Sequence, residues 1–187
     1  MNEVNISRLA KQDILAGSST GRQICKALWA TANVSKAGLF LISWSGVNVA
    51  TSSFLREGII AFRNLVREKK PELYPVLSEL TPNVEEEFAG LLNQMNEAFW
   101  VFEVSKGVVR KHRLIGRIDP KLKETLELIE KGHGFDAGTL WKSTNSTESV
   151  GVTAWNNRLA SLARQGLVFE SKVGKQKYFH PLHELRG

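Results

Sequence analysis

Two units of different class are predicted by this 187-residue sequence. Residues 1–105 read as an α/β layer with a mostly parallel sheet, 119–187 as an α+β unit of helices closed by a β-hairpin, and 106–118 as a basic linker. Three observations predict this. Along the first half the apolar period switches repeatedly between that of a strand and that of a helix. Val152 to Pro181 reads as an amphipathic helix, a Gly166-Leu167 stop, and two short strands around Gly174. Charge is also divided: residues 1–105 hold 10 Lys+Arg against 11 Asp+Glu and 106–187 hold 15 against 8, a net −1 and +7.

In chain order, Val4 to Ile6 is a short strand, and the Gly17-Ser18-Ser19-Thr20-Gly21 punctuation starts a helix over Arg22 to Thr31, with Ile24, Leu28 and Ala32 on one side. Leu39 to Ile42 is a continuous apolar run, the mark of a strand buried on both faces. Thr51, Ser52 and Ser53 are cap candidates for a helix carrying Leu55, Ile59, Phe62 and Val66 as far as Glu68-Lys69-Lys70-Pro71. Tyr74 to Leu80 is the next strand. Thr81-Pro82-Asn83 then opens a helix whose first turn holds Glu85, Glu86 and Glu87, suited to the positive end of a helix dipole, with Phe88, Leu91, Leu92 and Met95 inward. Phe99 to Val104 is aromatic and β-branched enough to be a fourth strand.

The stretch Trp44 to Ile59, WSGVNVATSSFLREGI, has the order strand, Ser-Gly-Val, paired serines, amphipathic helix. In this it resembles the STAS domain of anti-sigma-factor antagonists, and more closely the STAS-like domains of unknown function in bacterial and archaeal regulators, over about residues 1–104. The resemblance implies a domain for partner binding, sensing or dimerisation. It also implies a phosphorylated Ser at that helix start, which here is Ser52 with Ser53 beside it, and a histidine-kinase-like ATPase as the partner. Thr51 stands where the family's usual Asp is, and Phe54 where its Gly is. By their chemistry alone Thr51 to Ser53 serve equally as helix caps.

Lys106 to Asp119 holds five Lys+Arg against one acid and reads as a basic connector or an extra strand around Val108 and Val109; its two glycines favour the connector. Asp119-Pro120 signals a helix start, with Leu122, Leu126 and Ile129 continuing to Gly132-His133-Gly134. Phe135 to Ser143 is a shorter helix with Leu140 and Trp141 inward, and Thr144 to Ser149 a polar turn. The helix after it places Trp155, Leu159 and Leu162 at i, i+4, i+7, one apolar stripe. With Arg158-Leu159, Leu162 and Gly166-Leu167 ahead of a hairpin, residues 119–183 resemble the winged helix-turn-helix of bacterial transcription regulators. That resemblance implies that this third helix enters the major groove and that the wing reaches the backbone or minor groove.

Side-chain chemistry names the expected contacts. Asn156 and Asn157 match adenine N6 and N7, Arg158 matches guanine or phosphate, and Thr153 joins them as a base contact. Lys172, Lys175 and Lys177 suit phosphates in the wing, or a solvated hairpin tip that resists aggregation. Double-stranded DNA is thus the expected partner of a transcriptional regulator, read as a homodimer on a palindrome.

Other classes fare worse. A single cysteine, Cys25, excludes an internal disulfide and a multi-cysteine zinc site, and His180 and His183, parted by Pro181, make a poor metal pair. The Gly17 to Gly21 run lacks the Lys-Ser/Thr ending of a P-loop. No nucleophile-and-base or paired-carboxylate arrangement stands out, so the expectation is a protein that is not an enzyme and has no cofactor. The first residues lack a basic start and apolar run, and no segment approaches the roughly 20 apolar residues of a spanning helix, which favours a cytoplasmic protein away from membranes.

Overall fold

Strands rich in β-branched and aromatic residues that alternate with amphipathic helices fold into a mostly parallel sheet, because each crossover helix returns the chain to start the next strand in the same direction. The computed structural model describes residues 2–132, 134–144 and 151–185 of a mixed α/β chain. It divides into two units, the first ending at Arg117 and the second spanning Ile118–Leu185.

In the first unit the sheet comprises β1 (Asn2–Asn5), β3 (Gly38–Ser43), β5 (Leu73–Ser78), β6 (Ala98–Ser105) and β7 (Val108–Gly116), in the order β1-β3-β5-β6-β7. The first three pairings are parallel and the last is antiparallel. The crossovers carry α1 (Ile6–Ala10) and α2 (Ser18–Val34), then α3 (Ser52–Leu55), a π turn (Arg56–Ile60) and α4 (Ala61–Lys69), then α5 (Pro82–Met95). Since every crossover steps the same way across the sheet, right-handed connection sends all these helices to one face. There Phe40, Ile42, Leu73, Leu77, Phe99 and Val101 join Leu28, Phe62 and Phe88 in the core. Two small strands, β2 (Ile14–Leu15) and β4 (Val49–Ala50), pair in parallel beside it.

Several expected boundaries move. The first strand ends at Asn5, whose side chain accepts from Arg8 N at 2.8 Å and caps α1, so Ile6 belongs to the helix. The glycine punctuation does not precede α2 but enters it. Gly21 lies inside the helix, and the position needs glycine because a Cβ there would stand 2.9 Å from Phe54 O and 3.1 Å from Gly58 N. The helix after Thr51 is not uniform either: the π turn adds a residue to the inward face, so that Ile59 and Ile60 are both buried.

The largest correction concerns the linker read at 106–118. Lys106 and Gly107, at φ 52° and 74°, form a two-residue hairpin turn of the kind that matches strand twist, and Val108–Gly116 pairs along β6. The alternation of this strand was hidden because it is an edge: Val108 and Arg110 to Arg113 are exposed, and polar residues occupy both faces.

The second unit holds α6 (Pro120–Lys131), α7 (Ala137–Thr144) and α8 (Val152–Gln165), followed by an antiparallel ribbon of β8 (Val168–Val173) and β9 (Gln176–Pro181). Asp119 caps α6 through Lys121 N at 2.8 Å. Phe135 pairs with Phe179 of the ribbon, with backbone bonds of 3.0 and 2.9 Å. Leu126, Ile129, Leu140, Trp155, Leu159, Leu162, Val168 and Phe179 are all buried in it. The polar turn after Thr144 lies, from Asn145 to Val150, outside the described residues, as does His133.

Candidate nucleic-acid interface

α8 is amphipathic by composition, and its burial follows. Trp155, Leu159, Leu162 and Ala163 are inward, while Thr153, Asn156, Asn157, Ala160 and Arg164 are exposed. Spacings of three and four residues set those five on one face, which runs the length of the helix. No acidic residue occurs in α8. The helix ends where Gly166 takes φ 74°, with Gly166 N bonded to Ala163 O and Leu167 N to Leu162 O, both at 3.0 Å, a cap that turns the chain into β8.

Arg158, expected among the exposed contacts, lies on the other side. It is 8% exposed, with its guanidinium 4.7 Å from the Trp155 ring centroid. One residue past Asn157 the helix has turned 100°, which carries the side chain off the outward face. The cation on that face is Arg164, which sequence reasoning missed although it repeats the position of Thr153 after eleven residues, close to three turns.

In the ribbon, Lys172 and Lys177 sit directly opposite each other, with Gly174 at φ 62° turning the tip. Lys172, Lys175 and Lys177 are exposed, as expected. Lys177 Nζ is bonded to the Glu170 carboxylate at 3.0 and 3.1 Å, which offsets part of its field. His180 stacks on Phe169, with centroids 4.7 Å apart, and meets Ser171 Oγ at 2.8 Å through Nε2; His183 Nδ1 lies 3.3 Å from Glu130.

The charge split has a different anatomy from the one the halves suggested. Of the fifteen basic residues after position 105, Lys106, Arg110, Lys111, Arg113 and Arg117 belong to the β6–β7 hairpin and its exit, in the first unit. Residues 118–185 hold nine Lys+Arg against eight Asp+Glu, so that unit is close to neutral and its cations matter by placement.

Ser52 and Ser53, the candidate phosphorylation sites, open α3. Thr51 is the cap, accepting from Phe54 N at 3.4 Å, and Ser53 Oγ lies 3.1 Å from Thr51 Oγ1. Ser52 N donates to Glu87 Oε1 at 3.0 Å, and the Ser52 hydroxyl donates to the same oxygen. Glu87, in the second turn of α5, thus faces this helix start and stands beside the place an added phosphate would take. Phe54 is fully buried.

Among the described residues no helix is long and apolar enough to cross a membrane. No protein-family model matches the chain, and neither a curated protein nor a solved structure does.

Proposed function

We propose that this protein is a DNA-binding transcriptional regulator whose second unit works as a winged helix. In this proposal α8 lies in the major groove, Asn156 and Asn157 address base edges, and Arg164 with the ribbon lysines holds phosphates. The observation that carries the proposal is the outward face of α8: Thr153, Asn156, Asn157, Ala160 and Arg164, exposed together and without an acid. A 14-residue helix spans about 21 Å, enough for its first turns to meet several base pairs. The first unit, STAS-like in this proposal, binds a partner or a second copy, and a homodimer would match a palindromic site.

The partner-switching alternative needs a phosphate at Ser52, where Glu87 would repel it. It ranks second for that reason, and phosphate found on Ser52 after incubation with a histidine-kinase-like ATPase and ATP would reverse the order. To test the first, duplexes are selected from a random pool by the whole protein and the binding site is defined. The triple variant Asn156→Ala, Asn157→Ala, Arg164→Ala should then lose discrimination between that site and scrambled DNA while keeping its circular dichroism. Equal discrimination by parent and variant would end this account of α8.

A further inference from the structure

The outward face of α8 differs in chemistry along its length. From its start to the middle of the helix the exposed side chains are Thr153, Asn156, Asn157 and Ala160, without a charge among them. Thr153 to Ala160 covers about 10 Å of helix axis, the rise of roughly three base pairs. The cation of this face, Arg164, stands a further turn on, about 16 Å from Thr153 along the axis, with Nη2 3.5 Å from Ser161 Oγ.

Each base pair asks for a different side chain in the major groove. A side-chain amide accepts from adenine N6 and donates to adenine N7, and an apolar group packs on the thymine methyl. Asn156 and Asn157 supply two such amides, and Thr153 and Ala160 two methyl groups. Guanine is read by a guanidinium or ammonium that donates to O6 and N7, and cytosine by a carboxylate that accepts from N4. The arginine within this stretch, Arg158, is 8% exposed and lies against Trp155, off the outward face, and the sequence of α8 holds no Asp or Glu.

Given a major-groove position for α8, the reading proposed above on which this step rests, we infer that its recognition core is a run of about three A·T pairs. Asn156 and Asn157 select adenines in that core, while the methyl groups of Thr153 and Ala160 select thymines. Burial of Arg158 is what removes guanine from the code.

Duplexes selected from a random pool by the whole protein should share an A·T core. Replacing its pairs one at a time by inosine·cytosine keeps the minor groove of A·T and installs the major groove of G·C. At the pairs read by Asn156 and Asn157 this should weaken binding about tenfold in fluorescence anisotropy. Adenine without its N7 acceptor, as 7-deazaadenine, should weaken the parent likewise but make no difference to the double variant Asn156→Ala, Asn157→Ala. Uracil in place of thymine should weaken the parent, and at one position should cost Thr153→Ser nothing, because that variant has already lost its methyl group. A core rich in G·C, affinity kept on inosine·cytosine, or 7-deazaadenine that weakens the double variant as much as the parent would each overturn the A·T assignment and leave DNA binding in place. A parent that discriminates among no duplexes would end both.

Discussion

Arg158 and Arg164 are six residues apart on one helix, and the structure gives them opposite roles that mutation can separate. Arg158 is 8% exposed and its guanidinium lies 4.7 Å from the Trp155 ring centroid. A desolvated cation–π contact contributes about 2 kcal/mol, and the buried stem adds packing that an alanine cannot replace. With a urea slope of about 2 kcal/mol/M, Arg158→Ala should lower the denaturation midpoint by about 1 M. Arg164, exposed on the outward face, should change stability by less than about 0.5 kcal/mol when replaced by Ala. It should instead flatten the dependence of log affinity on log salt by about 0.9, the release of one counterion. Urea titration by circular dichroism and fluorescence anisotropy on a labelled duplex at several salt concentrations read the two effects separately. If Arg158→Ala keeps its midpoint and flattens the salt slope while Arg164→Ala does neither, the orientation assigned to α8 is wrong.

Three further outcomes follow from named contacts. Glu170→Gln releases Lys177 from its carboxylate partner and should tighten DNA binding, steepening the salt slope by about 0.9; an unchanged slope in the anisotropy assay means that Lys177 does not reach phosphate. Arg63 is 4% exposed, donates to Ala98 O at 3.2 Å and pairs with Glu97; burial pulls its guanidinium below its usual value and Glu97 pulls it back. Arg63→Ala should therefore cost about 2–3 kcal/mol in equilibrium unfolding, since Glu97 stays partly solvated, and a loss under about 1 kcal/mol would show that the pair does not hold α4 to β6. Asp136 caps α7, and its bond from Thr139 Oγ1 at 2.7 Å is the main cause holding its carboxyl below the usual value; Thr139 N at 3.0 Å assists, while slight burial opposes. A depressed folded value means stability present at neutral pH and lost as pH falls below the ordinary carboxylate range. Asp136→Ala should thus cost about 1 kcal/mol at neutral pH, and the gap from the parent should close in acid; a gap that stays constant in urea titrations down the pH scale contradicts this.

What the sequence determined by itself is everything that depends on neighbours a few residues away. The stripe of Trp155, Leu159 and Leu162, the doubly buried run Leu39 to Ile42, and the start of α5 at Thr81-Pro82 are set by spacing along one chain segment, and each is found in the structure. The exposure of Asn156 and Asn157 followed from the same periodicity. Tertiary structure decided what depends on groups far away in sequence. Arg158 is buried although its place among polar residues of α8 suggested exposure, a pairing partner in β6 turns a basic stretch into a strand, and a helix crossing demands Gly21. Glu87, 35 residues on, closes over Ser52. Periodicity reports which face of an element is apolar; which polar side chain is then covered is settled only when remote elements pack, because burial is a property of the assembled surface.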